Sequence, residues 1–324
     1  MRSSDRSNKD DSSPAENSFH VPVLLEESIH FLLTDLSGTY VDGTLGGCGH
    51  SQAILGRLSG GRLIAIDRDP VAVQRARMKL GSCGGFTAVH GTMGRIHEHL
   101  SALGIREIDG LLLDLGVSSH QIDTPDRGFS YMNDGKLDMR MDPSSEWTAG
   151  DLIHSCGEEE LAGILMTFGG ERDARRLSRA IVRARGRRRL QSTTELAGII
   201  ADAVSPRWRI KTLSRVFQAL RIAVNREMDE LRDCLTHAYP FVKEGGRYSV
   251  IAYHSLEARM VKRFFQGQDP TYDAGERPDA QKKYHFHILT RHAVEPSPEE
   301  IASNSRASSA LLRAAEKRER GTAS

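Results

Sequence analysis

The sequence predicts an α/β protein: a doubly wound, Rossmann-like core interrupted by an inserted all-helical domain. Three observations carry this. Short apolar runs alternate with helical stretches from residue 39 to 118; from 119 to about 222 helical periodicity continues without a convincing strand; then the alternation resumes. Strands that are continuously apolar are buried on both faces, as in a parallel sheet with helices on either side. The simplest organisation is one discontinuous core, residues 19–118 and 223–324, with an insertion at 119–222 and a polar tail at 1–18 expected to be disordered.

Each element has a local reason. "TYVD" (39–42), "RLIAID" (62–67), "FTAVHG" (86–91) and "DGLLLDLG" (109–116) read as strands. Between them, "HSQAILGRL" (50–58), "PVAVQRARMKL" (70–80) and "MGRIHEHLSAL" (93–103) have helical spacing, the second with Pro70 in its first turn. Such a β-α-β-α-β-α-β run places ligand crevices at the C-terminal ends of the strands. Within the insertion, "AGDLIHSCGEEELAGILMTFGG", "RDARRLSRAIVRARG" and "TTELAGIIADAV" are helical. Beyond it, "VNREMDELRDCLTHAYPFV" reads as one amphipathic helix and "KEGG" as a turn. "RYSVIAYH" (247–254) is a strand, "SLEARMVKRFF" a helix and "YHFHILTRHA" (284–293) a last strand, which leaves 294–324 polar and peripheral.

Composition narrows the class. No run of about 18 apolar residues suggests a membrane span. The N-terminal residues lack the apolar segment of a secretory signal, and Asp5, Asp10, Asp11 and Glu16 argue against a transit peptide, so a cytoplasmic location is expected. Cys48, Cys83, Cys156 and Cys234 are scattered without a CxxC pair, and the close pairs His97/His99 and His285/His287 have no grouped ligand partners. Reduced thiols and no metal site are therefore expected. The net charge of +1 hides an asymmetry: residues 172–221 hold 14 arginines and lysines against Asp173, Glu195 and Asp202, a local net of +11. One segment of an otherwise acidic chain is suited to a polyanion.

The stretch "YVDGTLGGCGHSQAIL" (40–55) puts Gly43, Gly46, Gly47 and Gly49 between a strand and a helix, without full dinucleotide-type G-x-G-x-x-G spacing. Asp42 at the strand's end would repel a pyrophosphate but pair with a cationic amino group. Asp67 ends the next strand, 25 residues on, where a carboxylate takes both hydroxyls of a ribose. S-adenosylmethionine (SAM), with an amino-acid tail and no phosphate, suits both acids. Another nucleotide, or a glycine-rich turn with two strand-capping acids, stays open on these residues alone.

Asp114 in "DGLLLDLGVSSHQ" (109–121) ends the fourth strand beside the expected topological switch point. Acceptors there suit methyl transfer to an exocyclic amine, whose lone pair is delocalised: hydrogen bonds to its protons favour the pyramidal amine and align it with a sulfonium methyl. Methylation at C5 of a pyrimidine would instead need a cysteine nucleophile, and no cysteine lies in the fourth or fifth strand. The plain alternative, a strand-end acid followed by turn serines, weighs equally for Asp114 alone.

Several blocks together resemble the RsmH (MraW) family of bacterial SAM-dependent methyltransferases: "HVPVLLEESI" (20–29), "VDGTLGGCGHS" (41–51), "LIAIDRDP" (63–70), "DGLLLDLGVSSHQ" (109–121), "RGFSYMNDGKLDMRMD" (127–142), "FQALRIAVNREMDEL" (217–231), "GGRYSVIAYHSLEARMVKRFF" (245–265) and "SRASSALLRAAEK" (305–317). The resemblance implies methylation at N4 of a decoding-centre cytosine in 16S rRNA, by direct transfer without a covalent enzyme–base intermediate. Its implied partner is 16S rRNA in the small ribosomal subunit, with no membrane and no metal; the oligomeric state is left open, with a homodimer among the options.

The family's cofactor contacts fall on Cys48, Gly49 and His50 of the loop, on Asp67 as ribose acid, on Asp114, on Gln121 and, beside adenine, on Met93. Gly46 and Asp42 join this set from the residue reading. Two departures stand out: Cys48 replaces a usual glycine and Met93 a usual aromatic. A backbone contact survives Gly→Cys if the dihedral is not left-handed, and methionine still packs against adenine, so SAM binding is expected to persist. Asp114, Asp138, Asp142 and His254 are the candidates to face the cytosine, although Arg140 and Asp142 read equally as a structural ion pair. Arg175, Arg176, Arg179, Arg187, Arg188, Arg189, Arg207, Arg209 and Lys211 are expected to meet phosphates. Trp208, Phe129 and Tyr131 read either as stacking partners for a flipped base or as core. A methyltransferase for another nucleic-acid amine and a non-catalytic ribosome-assembly factor are the alternative functions. Asp42 and the glycine spacing disfavour a nicotinamide dehydrogenase.

Overall fold

The computed structural model describes residues 22–272 and 282–319; the tail expected to be disordered, 1–18, lies outside the described residues. Seven strands form one sheet: β1 (Thr39–Asp42), β2 (Arg62–Asp67), β3 (Phe86–His90), β4 (Ile108–Asp114), β5 (Val242–Ala252), β6 (Phe286–Ile288) and β7 (Leu311–Lys317). Their order is β3-β2-β1-β4-β5-β7-β6. The first five run parallel, and β7 runs antiparallel to both of its neighbours. The order reverses between β1 and β4, which opens a crevice at their C-terminal ends.

The core helices are α1 (Leu25–Leu32), α2 (Gly49–Arg57), α3 (Pro70–Leu80), α4 (Ile96–Ala102) and the short α5 (Ser119–Asp123). The helices between them and the end of the sheet are α6 (Ala149–Ser155), α7 (Glu158–Gly169), α8 (Ala174–Arg185), α9 (Thr193–Ala203), α10 (Arg209–Asn225), α11 (Glu227–Ala238), α12 (Ser255–Phe265) and α13 (Pro298–Ser303). Caps set several of their starts. Asp69 accepts from the Val71 N–H ahead of Pro70, and Ser192 with Glu195 forms a reciprocal capping box on α9. No helix among the described residues is long and apolar enough to cross a membrane.

Two cores divide the buried apolar surface. One lies on the sheet, where Leu111, Leu113 and Val250 meet α4, α11 and α12 through Leu100, Leu231 and Phe264. An edge-to-face aromatic group, including Phe264–Phe286 at 5.0 Å and Tyr248–Phe286 at 5.5 Å, closes its far end. The other core is helical: α6 to α10 enclose Leu165, Leu177, Ile181, Leu196 and Phe217. In α8, Leu177 and Ile181 face inward while Arg175, Arg176, Arg179 and Arg183 are exposed on one solvent face.

The C-terminal half departs from the sequence reading in three places. Residues 294–324 are not merely peripheral, because Leu311–Lys317 forms β7 between β5 and β6. Its small buried residues Ala314 and Ala315 give a weak apolar signal. The expected last strand is correspondingly short, Phe286–Ile288. β5 starts at Val242 and runs through the expected "KEGG" turn, with Gly245 at φ +75° and a register shift against β4 between Ile108 and Gly110. The expected single helix beginning at Val224 is broken at Arg226, whose φ of 50° separates α10 from α11.

Candidate active site

A cleft of about 1530 Å³ opens at the C-terminal ends of β1, β2, β4 and β5. Its floor is the loop after β1. Asp42 is 1% exposed and does not line the cleft; its carboxylate accepts from Ser51 Oγ at 2.6 Å and from the Thr44 N–H at 3.1 Å. Burial raises its pKa, against the Ser51 hydrogen bond. Asp42 therefore braces the loop from beneath, contrary to the expected contact with a ligand's amino group. Thr44 Oγ1 accepts from the Asp114 N–H at 2.6 Å and ties the loop to β4.

Gly46, at φ +47°, and Gly47 present backbone to the cleft. Cys48 does not line it: the side chain is fully buried under α3 and the backbone is left-handed, φ 68°. The expected condition for a harmless Gly→Cys exchange is thus not met, since this position has the conformation that glycine adopts without strain. Gly49 faces a different constraint, because a Cβ there would lie 2.1 Å from Pro22 Cγ.

Asp67 ends β2 on the cleft wall. Its carboxylate accepts from the Gly46 N–H at 2.7 Å and the Asp69 N–H at 2.8 Å, and burial pushes its pKa up to about 6. Next to it, Asp69 is a junction. Its Oδ2 accepts from Gln121 Nε2 at 3.0 Å and from Arg127 Nη1 at 2.9 Å. Gln121 faces the cleft, but its amide is engaged on both sides, since Oε1 accepts from the Ser118 N–H. Met93 lines the wall nearby and packs against the sheet core.

At the tip of β4, the side chain of Asp114 is 26% exposed. Tyr253, just beyond β5, donates its hydroxyl to Asp114 Oδ1 at 2.8 Å. Burial, together with the Asp114 charge, pushes the Tyr253 pKa far above its ordinary value, so the phenol remains a donor. His50 lies behind, its Nδ1 3.6 Å from Asp114 Oδ2 and its Nε2 3.2 Å from the Val23 carbonyl. Burial lowers its pKa and favours the neutral ring. With Nε2–H donating to that carbonyl, Nδ1 turns a lone pair toward Asp114.

The model of the MraW methylase family matches residues 17–318. The chain belongs to the MraW methylase family. Similar proteins named ribosomal RNA small subunit methyltransferase H include one from Caldicellulosiruptor bescii, 43% identical over 309 residues (92% of this chain, 99% of that one). Another, from Trichlorobacter lovleyi, is 44% identical over 312 residues (93% and 99%). Among solved structures, an rRNA methylase from Streptococcus thermophilus is 11% identical with a TM-score of 0.38, covering 91% of this chain and 93% of that one. The fold of this MraW-family chain rests on its own strand order. Its cofactor is S-adenosylmethionine.

The remaining candidates divide. His254 lines the cleft but is only 9% exposed; it caps α12, and its Nε2 lies 3.1 Å from Glu257 Oε1. Although burial opposes it, the charge of His254 helps to hold the Glu257 carboxyl below its ordinary value. Glu227 completes a buried trio with these two, but Arg221 already grips it at 2.8 and 2.9 Å. Asp138 and Asp142 are not on the cleft wall. Asp138 binds Arg140 through two hydrogen bonds of 2.8 and 2.7 Å, and Asp142 accepts from Ser144. The ion pair in this stretch is therefore Asp138–Arg140, not Arg140–Asp142.

Asn225 went unnoticed in the sequence. It is 1% exposed, accepts from the Met141 N–H at 2.7 Å, and donates to the Met139 and Arg221 carbonyls at 2.7 and 2.9 Å. Arg127 holds the same loop through the Arg140 and Met141 carbonyls while reaching Asp69. The "LDMRMD" block is thus a buckle between the helical core and the start of α3 after β2. The only sequence signal for Asn225 was its place in the "VNREMDEL" block.

The basic residues lie on the helical part. Arg175, Arg176, Arg187 and Lys211 are exposed. Arg179 pairs with Glu158 at 3.2 Å, Arg188 with Glu195 at 3.2 Å and Arg189 with Asp151 at 3.6 Å. Arg207 lies over the half-exposed Trp208 ring, 4.7 Å from its centroid, and Arg209 donates to the Ala201 carbonyl. Phe129 and Tyr131 pack on the helical core, Tyr131 edge-on to Phe217 at 5.4 Å.

Proposed function

We propose that this protein methylates the small-subunit ribosomal RNA, at the N4 amine of a decoding-centre cytosine in 16S rRNA, by direct transfer from SAM. The observation that carries the reading is Asp114: a carboxylate at the tip of β4, on the cleft wall and steered by Tyr253. The names of the relatives supply the ribosomal substrate.

Bound SAM supplies an electrophilic sulfonium methyl. Asp67 would hold its ribose hydroxyls, the Gly46–Gly47 backbone its tail, and Met93 its adenine. Asp114 accepts a hydrogen bond from the target amine, which favours the pyramidal nitrogen and aligns its lone pair with the methyl. The nitrogen–methyl bond forms as the sulfur–methyl bond breaks, and the amine then sheds a proton to Asp114 or to water. Cysteine chemistry has no support here. Cys48 is buried with its thiol pushed up to about 11 by burial, and none of the four thiols lines the cleft. His254, engaged with Glu257, organises the end of β5. The insertion proposed at 119–222 brings its arginine-rich face to the RNA backbone, where phosphates displace weak exposed ion pairs.

The test is a methylation assay. The protein and SAM are incubated with small subunits from cells lacking the activity, and the digested RNA is read by nucleoside mass spectrometry. N4-methylcytidine is the expected product. A different methylated nucleoside would move the substrate to another amine, and no product despite SAM binding would leave a non-catalytic assembly role.

A further inference from the structure

A turn ahead of the last strand also enters the cleft. Because β7 is antiparallel to β5, its first residue, Leu311, pairs with Ala252 at the C-terminal end of β5. The turn before it, Ser305–Ser309, therefore stands on the same rim as Asp114 and Tyr253, and Ser305, Arg306, Ser308 and Ser309 line the cleft. The base of this turn is fixed. Ala307 is fully buried beside Leu24 and Leu312, and Asn304 Oδ1 accepts from the Arg306 N–H at 3.2 Å. Its three lining serines are exposed.

Arg306 reaches across to the end of α5, where Nη2 donates to Asp123 Oδ1 at 2.6 Å. The two side chains are 33% and 62% exposed. An ion pair this open is weak and readily exchanged, whereas a phosphate offers a guanidinium paired, charge-assisted hydrogen bonds. The cleft has room for such a second occupant: at about 1530 Å³ it exceeds the roughly 300–1,000 Å³ of a pocket for one small ligand. Of the expected cofactor contacts, Gly46, Asp67 and Met93 lie on or beyond the β1–β2 side, and Asp114 and Gln121 lie at and after the tip of β4. The turn borders the β4–β5 side.

We propose that the Ser305–Ser309 turn is a phosphate site for the substrate RNA strand beside the methylated base, with Arg306 exchanging Asp123 for a backbone phosphate. The inference rests on the reading of the protein as an RNA methyltransferase. Asp123 keeps the guanidinium extended over the cleft until RNA arrives, and the serine hydroxyls donate to the same sugar–phosphate segment.

The two ends of the ion pair give opposite expectations, which separates this role from that of a structural strap. Small subunits serve as substrate for wild type, Arg306→Gln and Asp123→Asn. Arg306→Gln is expected to raise KM for subunits about tenfold, the loss of one charge-assisted contact. kcat and the SAM Kd should be unchanged, and the slope of log KM against log salt should fall by roughly 1. Asp123→Asn should leave KM unchanged or lower it, since a carboxylate no longer competes with phosphate for the guanidinium. A strap would make both variants lose SAM affinity together. That outcome overturns the proposal, as does Arg306→Gln with wild-type KM and salt slope. Failure of the methyltransferase reading itself is distinct, because wild-type protein with SAM bound would then methylate no subunit RNA.

Discussion

The Tyr253 hydroxyl donates to Asp114 Oδ1 at 2.8 Å and so joins the tips of the fifth and fourth strands on the wall of the cleft. Tyr253 precedes His254, the cap of α12, and its own N–H is held by Glu257 at 2.8 Å. The phenol thus sits on a rigid base and fixes the orientation of the Asp114 carboxylate that the target amine would meet. Removing it frees Asp114 to rotate without removing any charge. Tyr253→Phe is expected to lower the single-turnover methylation rate about tenfold, the worth of one hydrogen bond to a charged group. SAM affinity should hold. Asp114→Asn keeps the shape but weakens the acceptor, and should cost about a hundredfold or more. A Tyr253→Phe enzyme at full rate would show that Asp114 needs no steering.

Asp67 predicts a pH dependence of cofactor binding. Its free carboxyl titrates at about 6, raised by burial, so near pH 5 most molecules carry the neutral acid. Two ribose hydroxyls donating to the group favour the carboxylate and lower its pKa in the complex. Binding then releases a proton, and affinity rises with pH. Between pH 7 and pH 5 the SAM Kd should increase about tenfold, following the protonated fraction. Calorimetry in two buffers of different ionisation enthalpy would count the proton released. Asp67→Asn should bind more weakly and lose the pH dependence; affinity that falls as pH rises would place the ribose elsewhere.

β2 and β4 were legible because each carries an apolar run, LIAI and LLL, that stops at an acid. β2 and α3 occupy the residues read from the pattern. β7 was not legible, since "LLRAAEK" relies on alanines against β5 and has no strong period of two. The acids Asp67 and Asp114 could be placed on the cleft because strand ends point there. Asp42 ends a strand as well, but Ser51, nine residues on, turns back to take its carboxylate. No spacing rule reveals that closure. Asp138 and Asp142 misled for a related reason: a motif rich in charge can bind itself, as Asp138 and Arg140 do.

The left-handed Cys48 makes a prediction about stability. At an ordinary helical position alanine is more stable than glycine by about 1 kcal/mol. At φ 68° that order should reverse, because a Cβ is strained in this conformation and glycine is not. Cys48→Gly and Cys48→Ala both lose the buried sulfur, so their difference isolates the backbone effect. The glycine variant should be more stable than the alanine variant by roughly 0.5–1 kcal/mol in chemical denaturation. The ordinary order would show that burial of the Cβ among Leu45, Val73 and Leu80 outweighs strain.

Asn225 should matter to both stability and cofactor binding, for a reason visible in its partners. Its amide closes three hydrogen bonds at the C-terminal end of α10, two of them to the 139–141 loop, where Met139 is held at φ 59°. Asn225→Ala leaves the buried Met141 N–H and two carbonyls without that partner, a loss on the order of 3 kcal/mol. Asn225→Asp keeps the acceptor for Met141 but brings a carboxylate against the Met139 carbonyl, and should be no better. The same loop gives Arg127 its two carbonyl anchors, and Arg127 in turn reaches Asp69, two residues from Asp67 on the cleft wall. A loosened buckle should therefore also weaken SAM binding, although Asn225 is not on the cleft wall. Arg127→Gln, which spares Asn225, separates the two effects: it should reproduce the weaker SAM binding with a smaller loss of stability. If Asn225→Ala lowers the denaturation midpoint and leaves the SAM Kd of the folded protein unchanged, the loop is a structural joint alone.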